Sequence, residues 1–531
     1  MTSGDRRESM TGAVAGAGVL PNDGESVAGA AGAQSISLSL IAHTNIGKTA
    51  LARTLLGRDI GEVRDAPHVT ASAERHPLVE TAQGDVLYLW DTPGFGDSAR
   101  LARRLATYDH PIIRFLAMTW DRWRDRPLWS SQQAVRNVRD EADVVLYLVN
   151  ASESPADAGY IAPELTILEW IGKPVIVLLN QLGQPRSVRE EAADIARWRD
   201  ALGPRPFIQG VLPLDAFARC WVQEGVLLQE VAKALPAAQQ SAFARIRAAW
   251  RTARETQFER AMGAIAEPLA RAACDRAVLP EAGLRESLAG VGRAIGLGGE
   301  RGDGAKQAAM RVLSERLDAD IRASTDRLIE IHGLGGRAAA EVTARLAQDV
   351  TTETPVDARK AAVIGGFLSG ALTGLAADLA AGGLTFGAGL LAGGVLGAAG
   401  AAGLARGFNL VRGKTEAGVR WSDEFVAALV PAAILRYLAV AHYGRGRGDF
   451  AASEYPPFWR DAVSAVVQRQ GGVASVVRMR ATDGCDAAAL VPPFQAKLAD
   501  IARDVLHALY PAAPVALPAS RRSAENATPA Q

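Results

Sequence analysis

The sequence has few cysteines and no excess of charge of either sign, and both features exclude classes of protein. Its 531 residues include three cysteines, Cys220, Cys274 and Cys485, which form no Cys-x-x-Cys pair. Spacing of this kind predicts neither a zinc site nor a disulfide framework, so we expect reduced thiols. Lys and Arg together number 58, as do Asp and Glu, so the overall charge gives no indication of DNA binding.

The first residues do not show the pattern expected of a signal peptide. Residues 1–34 mix Gly and Ala with Asp, Asn and Glu and contain no continuous apolar core. We predict a disordered leader over 1–34, a disordered tail over 514–531 and a cytoplasmic protein. The chain is too long for one hydrophobic core, so we expect several domains between these ends.

Short apolar runs alternate with helical patterns over residues 35–225. The runs are rich in Val, Ile and Leu and comprise Ile36–Ile41, Val86–Trp90, Val144–Val149, Val175–Leu179 and Phe207–Leu212. This alternation predicts an α/β domain with a mostly parallel sheet, the architecture of P-loop nucleotide-binding domains. Two extended runs around Gln83-Gly84-Asp85 predict a hairpin, and the stretch of about 98–140 predicts a helical insertion.

The first run leads into a segment typical of a phosphate-binding loop. Ala42-His43-Thr44-Asn45-Ile46-Gly47-Lys48-Thr49 follows a predicted strand and precedes a predicted helix that begins near Ala50. We expect the backbone amides from Thr44 to Ala50 to bind phosphates and Lys48 to add a positive charge. The Thr49 hydroxyl is placed to bind Mg²⁺, and Gly47 allows the backbone to approach a ligand closely.

A second motif, Asp91-Thr92-Pro93-Gly94, ends the strand predicted at Val86–Trp90. A carboxylate at this edge can hold the Mg²⁺ shell, and the Gly94 amide can bind a γ-phosphate. The two motifs together resemble those of the translation-factor-related GTPases, particularly the Era/TrmE-like branch with its GxPNxGKS loop and DTPG motif. The resemblance covers about residues 35–225 and implies binding of GTP and GDP. It also implies that Thr70, or alternatively Ser72, is the switch threonine that binds Mg²⁺ and the γ-phosphate.

The guanine-reading motif of that branch is changed here. Asn180-Gln181-Leu182-Gly183 stands where the family has Asn-Lys-x-Asp, so Asn180 and Gln181 can contact the base but Gly183 cannot supply the carboxylate. Asp215 and Ala216 occupy the region of the family's Ser-Ala-Lys loop. Asp215 either substitutes for the missing carboxylate or caps the following helix.

Two further residues bear on hydrolysis. Phe95 follows the DTPG motif where small signalling GTPases have a water-positioning glutamine, so hydrolysis by the isolated domain is expected to be slow. Asn45 has two interpretations. In the resembled branch an asparagine at this position helps to bind a K⁺ ion that assists catalysis, often in a G-domain homodimer; the alternative is that Asn45 only stabilises the loop. Lys48, Asn45 and Thr70 are the predicted catalytic residues.

The second half of the sequence predicts helices. Residues 226–358 and 413–513 carry helical spacing, and 359–412 form a Gly/Ala-rich apolar segment with glycines every four residues. We interpret 361–405 as a helical hairpin that enters or spans a membrane, which would associate the protein with the inner face of the cell membrane; the alternative is a buried hairpin. This organisation resembles a bacterial GTPase family with a C-terminal helical domain of unknown function. We therefore expect a GTPase that couples nucleotide state to a helical, membrane-associated region. The alternatives are a soluble RNA- or ribosome-linked GTPase and a non-hydrolysing scaffold.

Overall fold

The computed structural model describes residues 33–58, 60, 73–106, 126–182, 187–218, 220–278, 303–334, 408–412, 417–443, 456–480, 485–511 and 513. Five of the predictions above lie outside these residues: the leader except for residues 33 and 34, the switch threonine at Thr70 or Ser72, Gly183, the apolar segment 361–405 and the tail 514–531.

The N-terminal half is built on a six-stranded sheet in the order β2-β3-β1-β4-β5-β6. The strands are β1 Ser35–Ala42, β2 Glu74–Glu80, β3 Val86–Asp91, β4 Val144–Asn150, β5 Val175–Asn180 and β6 Ile208–Pro213. Neighbouring strands run parallel except β2, which pairs antiparallel with β3. This confirms the α/β fold with a mostly parallel sheet, and the predicted hairpin is the β2–β3 pair.

Helices cover both faces of this sheet. They are α1 Lys48–Leu56, α2 Ser98–Ala106, α3 Arg126–Glu141, α4 Ile161–Ile171, α5 Val188–Leu202 and α6 Trp221–Ala234. Side chains of α2 to α5 form one core with one face of the sheet. Those of α1 and α6 belong to a second core that continues into the C-terminal half. Helices α2 and α3 lie in the predicted insertion, and the predicted boundary at residue 225 falls inside α6.

The C-terminal half is mainly helical, as predicted. Its helices are α7 Ala237–Cys274, α8 Asp303–Ile331, α9 Asp423–Ala441, α10 Pro457–Arg469, α11 Ala474–Val477 and α12 Ala487–Leu509. The long helix α7 packs along α12 and α8, and α9 packs against α7 and α10. Because this core is continuous with one face of the sheet, the helical half lies directly against the six-stranded sheet and its helices.

Three short strands interrupt the ranges predicted as helical. They are β7 Arg276–Val278, β8 Phe408–Arg412 and β9 Ala417–Trp421, and they form an antiparallel sheet in the order β7-β9-β8. The helical prediction is wrong for these residues, one strand in each of the ranges 226–358, 359–412 and 413–513. Strands of three to five residues are too short to show the alternation from which a strand is predicted.

The cysteines also differ from expectation. Cys274, the last residue of α7, is joined by a disulfide to Cys485, just before α12, with 5.3 Å between the Cα atoms. The expectation of reduced thiols is therefore wrong for this pair, whereas Cys220 is buried and not disulfide-bonded. The two residues are 211 positions apart, and only the packing of α7 on α12 brings them together.

Among the described residues, α9 is the one helix that is long and apolar enough to cross a membrane. Most of it is buried within the helical half, including Tyr437 and Leu438, as is usual for the core helix of a globular domain. Helix α9 lies outside the segment 361–405, so membrane contact through that segment stays a prediction.

Candidate nucleotide site

The predicted phosphate loop joins β1 to α1 with an unusual backbone. Strand β1 ends at Ala42 and α1 begins at Lys48. Asn45 has φ 64° and Gly47 has φ 90°, both in the left-handed region, which Asn tolerates and Gly adopts readily. A Cβ atom at Gly47 would also lie 3.0 Å from the Asn180 Nδ2 atom. Glycine is therefore needed at position 47 for its conformation and for space.

Lys48 points into the loop rather than into solvent. Its side chain is buried, and its Nζ atom lies 3.4 Å from the His43 carbonyl oxygen. Burial lowers the pKa of Lys48, whereas the nearby carboxylates of Asp91 and Glu164 favour its charged form. Gly94 of the second motif closes over this group, since a Cβ there would lie 3.0 Å from the same Nζ atom. The two motifs thus enclose one buried ammonium group.

Thr49 and Asp91 meet beside Lys48. The Thr49 hydroxyl donates a hydrogen bond of 2.7 Å to Asp91 Oδ2, and Asp91 Oδ1 is buried with no hydrogen-bond partner among the described residues. Burial raises the pKa of Asp91, which disfavours a bare carboxylate at this place. Oxygen ligands from a hydroxyl and a carboxylate are those that Mg²⁺ prefers, so the pair fits a magnesium site. Of the other predicted loop residues, Ile46 and Ala50 are buried and can offer a ligand only their backbone.

Asn180 connects the phosphate loop to the loop that follows β6. Its side chain is fully buried, Nδ2 donates 2.6 Å to the Ile46 carbonyl, and Oδ1 accepts 2.8 Å from the Ala216 amide. The Ala216 carbonyl in turn accepts 2.8 Å from the hydroxyl of Thr54 in α1. The side chain that was predicted to contact the base therefore braces two loops of the site.

Asp215 also binds backbone groups. One carboxylate oxygen accepts 2.6 Å from the Leu182 amide and the other accepts 2.8 Å from the Phe217 amide. The N-cap of α6 is Cys220, so the alternative that Asp215 caps this helix is wrong. Gln181 has φ 59°, and its side-chain Nε2 atom donates a hydrogen bond of 3.5 Å to the Asn45 carbonyl oxygen. Asp215 and Gln181 thus hold the segment after β5 close to the phosphate loop.

Phe95 occupies the position where small signalling GTPases have a water-positioning glutamine. Its amide donates 3.0 Å to the Ala42 carbonyl, while its ring is buried in the core shared by α2 to α5 and packs edge-on against Tyr147 at 6.4 Å. The side chain is therefore directed into the core, where it cannot orient a water molecule.

Sequence reasoning missed a polar cluster directly behind the loop. His43 Nδ1 lies 2.8 Å from Glu164 Oε1, and the Tyr147 hydroxyl donates 2.7 Å to Glu164 Oε2. The His43 ring stacks on Tyr160 at 4.6 Å. The signal in the sequence was Glu164 itself, one of two carboxylates in the mostly apolar helix α4, but its partners come from other elements.

Two sequence-family models each match part of the chain. Residues 37–181 match the family described as 50S ribosome-binding GTPase, and residues 205–465 match a domain of unknown function, DUF3482. The chain is also similar to GTPase Der of Caldanaerobacter subterraneus subsp. tengcongensis, with 24% identity over 153 residues. That similarity spans 28% of each chain, so only part of the relative has a counterpart here.

Among solved structures, the chain is similar to an Era variant from Aquifex aeolicus bound to GDP·AlF4⁻ and to Era in complex with MgGDPNP and 16S ribosomal RNA nucleotides. Each is 17% identical with a TM-score of 0.28, and the similarity covers 38% of this chain and 57% and 58% of the respective Era chains. The sequence families and the loop geometry carry the assignment. The protein combines a P-loop GTPase domain, over residues 37–181, with a domain of unknown function that is matched over residues 205–465.

Proposed function

We propose that this protein binds and hydrolyses GTP and couples its nucleotide state to the helical half. The observation that supports this proposal is the hydrogen-bonded pair Thr49–Asp91 beside the buried Lys48. One carboxylate oxygen of Asp91 has no hydrogen-bond partner among the described residues. Thr49, Asp91 and, by resemblance, Thr70 would hold Mg²⁺, which neutralises phosphate charge when bound. Lys48 and the loop amides bind the phosphates, and Asn180 keeps the loop in place.

Nucleotide binding tests the first part of this proposal. The full chain is titrated with fluorescent GTP, ATP and XTP in the presence of Mg²⁺, and we expect GTP to bind most tightly. Lys48→Ala should abolish binding, whereas Lys233→Ala, which removes an exposed lysine paired with Glu230, should not. Equal binding by the Lys48→Ala variant would refute the assignment of the phosphate site.

Hydrolysis tests the catalytic part. Because Phe95 is buried in the core, we expect a low rate for the full chain without partners. If Asn45 helps to bind K⁺ in a G-domain homodimer, the rate and the dimer fraction should be higher in K⁺ than in Na⁺. Equal rates in the two salts would exclude the potassium role, and binding with no hydrolysis in either salt would favour the non-hydrolysing scaffold.

Coupling to the helical half is supported by an ion pair at the β2–β3 turn. Asp85 is fully buried and accepts two bonds from Arg245 of α7, at 2.6 and 2.8 Å. The Arg245 guanidinium holds the pKa of Asp85 below its usual value. Asp85 directly precedes β3, whose other end is Asp91. Strand β3 therefore links the site of the γ-phosphate to a contact with α7.

Hydrogen exchange of α7 tests this coupling. We expect protection around Arg245 to differ between the GDP-bound chain and the chain bound to a non-hydrolysable GTP analogue. Arg245→Gln should remove the difference, while Arg251→Gln, which breaks an exposed pair with Glu255 on the same helix, should preserve it. An unchanged difference in the Arg245→Gln chain would rule out this route.

Membrane association is a further part of the proposal and is supported by the apolar, Gly/Ala-rich composition of 361–405. Flotation of the full chain with anionic vesicles, compared with a chain that lacks 361–405, measures it. We expect flotation to depend on this segment. Flotation by neither chain would exclude membrane contact and leave the buried hairpin.

A ribosome-linked GTPase is the second candidate, favoured by the description of the family that residues 37–181 match. Co-sedimentation of the full chain with 50S subunits, in GTP and in GDP, distinguishes it. Nucleotide-dependent co-sedimentation would support this candidate, and its absence would favour the first.

A further inference from the structure

The phosphate loop lacks the residue that makes such a loop rigid. Where the resembled pattern GxPNxGKS has glycine and proline, this chain has Ala42 and Thr44. A proline ring fixes φ near −65°, whereas threonine leaves this angle free. The first turn of the loop therefore requires another restraint, and the structure contains one in the side chain of the residue between these two positions.

His43 is held on two sides. Its Nδ1 atom is 2.8 Å from Glu164 Oε1, and its ring lies flat on Tyr160, with 4.6 Å between centroids and 16° between planes. The two partners are on or next to α4. The imidazole therefore fixes the start of the loop to a helix on the opposite side of the sheet from the helical half.

Glu164 is a firm anchor for this contact. Its side chain is fully buried, and its second oxygen accepts 2.7 Å from the hydroxyl of Tyr147, which is itself fully buried in β4. Burial raises the pKa of Glu164, while its bonds with His43 and Tyr147 and the charge of Lys48 favour the carboxylate. Each carboxylate oxygen thus has one partner, and one of the two belongs to the phosphate loop.

The backbone of His43 faces the phosphate side. Its carbonyl oxygen is 3.4 Å from Lys48 Nζ, and the Cα of the next residue, Thr44, would lie 3.3 Å from a Cβ at Gly94. The Glu164 carboxylate also favours the charged form of Lys48. Movement of His43 would therefore disturb the ammonium group and the turn that together enclose the phosphate site.

We propose that Glu164, acting through His43, is a positioning residue of the phosphate loop and replaces the restraint of the missing proline at position 44. This inference rests on the proposed GTP binding. It assigns to Glu164, His43 and Tyr160 a role in nucleotide affinity, in addition to their contribution to packing.

The test is a rescue experiment on the full chain. His43→Ala should weaken GTP binding about tenfold, the size of one lost positioning hydrogen bond. Thr44→Pro in the same chain should restore most of that affinity, since proline restrains the same turn. Glu164→Gln should weaken binding to a similar extent, and the His43→Ala/Glu164→Gln double variant should be no weaker than either single variant.

Glu224→Gln is the matched control, because Glu224 is also a buried glutamate and pairs with Arg254 and Trp250, away from the loop. It should lower thermal stability without changing GTP affinity. The inference would be overturned by an affinity unchanged by His43→Ala or by additive effects of His43→Ala and Glu164→Gln. It would also be overturned by failure of Thr44→Pro to rescue His43→Ala, provided that Thr44→Pro alone does not weaken binding. If the unmodified chain does not bind GTP, this result would instead refute the proposed GTP function itself.

Discussion

The Asn180→Asp substitution distinguishes most directly between two roles of Asn180, bracing two loops of the site and recognising the base. Asn180 uses Nδ2 to donate to Ile46 and Oδ1 to accept from Ala216, and its side chain is fully buried. Aspartate has the same shape and keeps the acceptor for Ala216. It loses the donor and places an oxygen where the Ile46 carbonyl oxygen is 2.6 Å away.

The size of the effect follows from that contact. A buried acceptor that loses its donor costs about 1–3 kcal/mol, and the opposed oxygens shift the expected value to the middle of this range or above. A cost of about 2 kcal/mol, expressed in the phosphate loop, corresponds to about 30-fold weaker nucleotide binding. Protonation of the introduced carboxyl restores a donor, so part of the affinity should return at acidic pH.

Titration with fluorescent GTP, GDP and XTP measures this effect. If Asn180 braces the loop, all three nucleotides lose affinity by a similar factor. Asn150→Asp is the control, because Asn150 is the register partner of Asn180 on β4 and its side chain bonds the nearby residues Ser152 and Glu153. A loss confined to the guanine nucleotides would refute the bracing role and assign Asn180 to base recognition.

Three further variants test other parts of the structure. Gly94→Ala places a Cβ 3.3 Å from a backbone atom of the phosphate loop and should weaken GTP binding and slow hydrolysis, as measured by steady-state turnover. Asp91→Asn should make GTP affinity insensitive to added Mg²⁺; an unchanged Mg²⁺ titration would contradict the assigned ligand. Burial lowers the pKa of His442 to about 4 from 6.5, so the unfolded state binds more protons between these values. Thermal stability of the helical half should therefore fall as pH decreases from 6.5 to 4, and His442→Gln should flatten this dependence.

The fold of the N-terminal half could be predicted because its signals are local. Strands such as Val144–Asn150 are buried on both faces and therefore read as continuous apolar runs. The phosphate loop was recognisable because strand, loop and helix follow one another directly along the chain. Each of these features requires only neighbouring residues.

The features that were missed depend on distant pairs. Cys274 and Cys485 are separated by 211 residues, and Glu164 lies 121 residues from His43. The sequence predicts that Asn180 contacts the base, whereas the use of both its polar atoms by backbone groups depends on how β6 and α6 pack. No pattern along the chain encodes such contacts, because they arise only when separate elements meet.

The packing of the two halves limits how nucleotide state can reach the helices. The helices that follow the DTPG motif, α2 and α3, lie in the core on one face of the sheet, whereas α7 to α12 share the core of the other face. The loop after β6 and the start of α6 contact the helical half directly. Ala218 pairs with Tyr443, and the Trp221 Nε1 atom donates a hydrogen bond of 3.3 Å to the hydroxyl of Tyr437 in α9. That loop is tied through Ala216 and Asn180 to the phosphate loop, and it falls within the match to the C-terminal family. Under the proposed coupling, a signal from the γ-phosphate would reach α7 through β3 and Asp85, while occupancy of the nucleotide site would reach α9 through Asn180 and the loop after β6. Differences between the empty and the GDP-bound chain should therefore appear at α9, and differences between the GDP-bound and the GTP-bound chain should appear at α7.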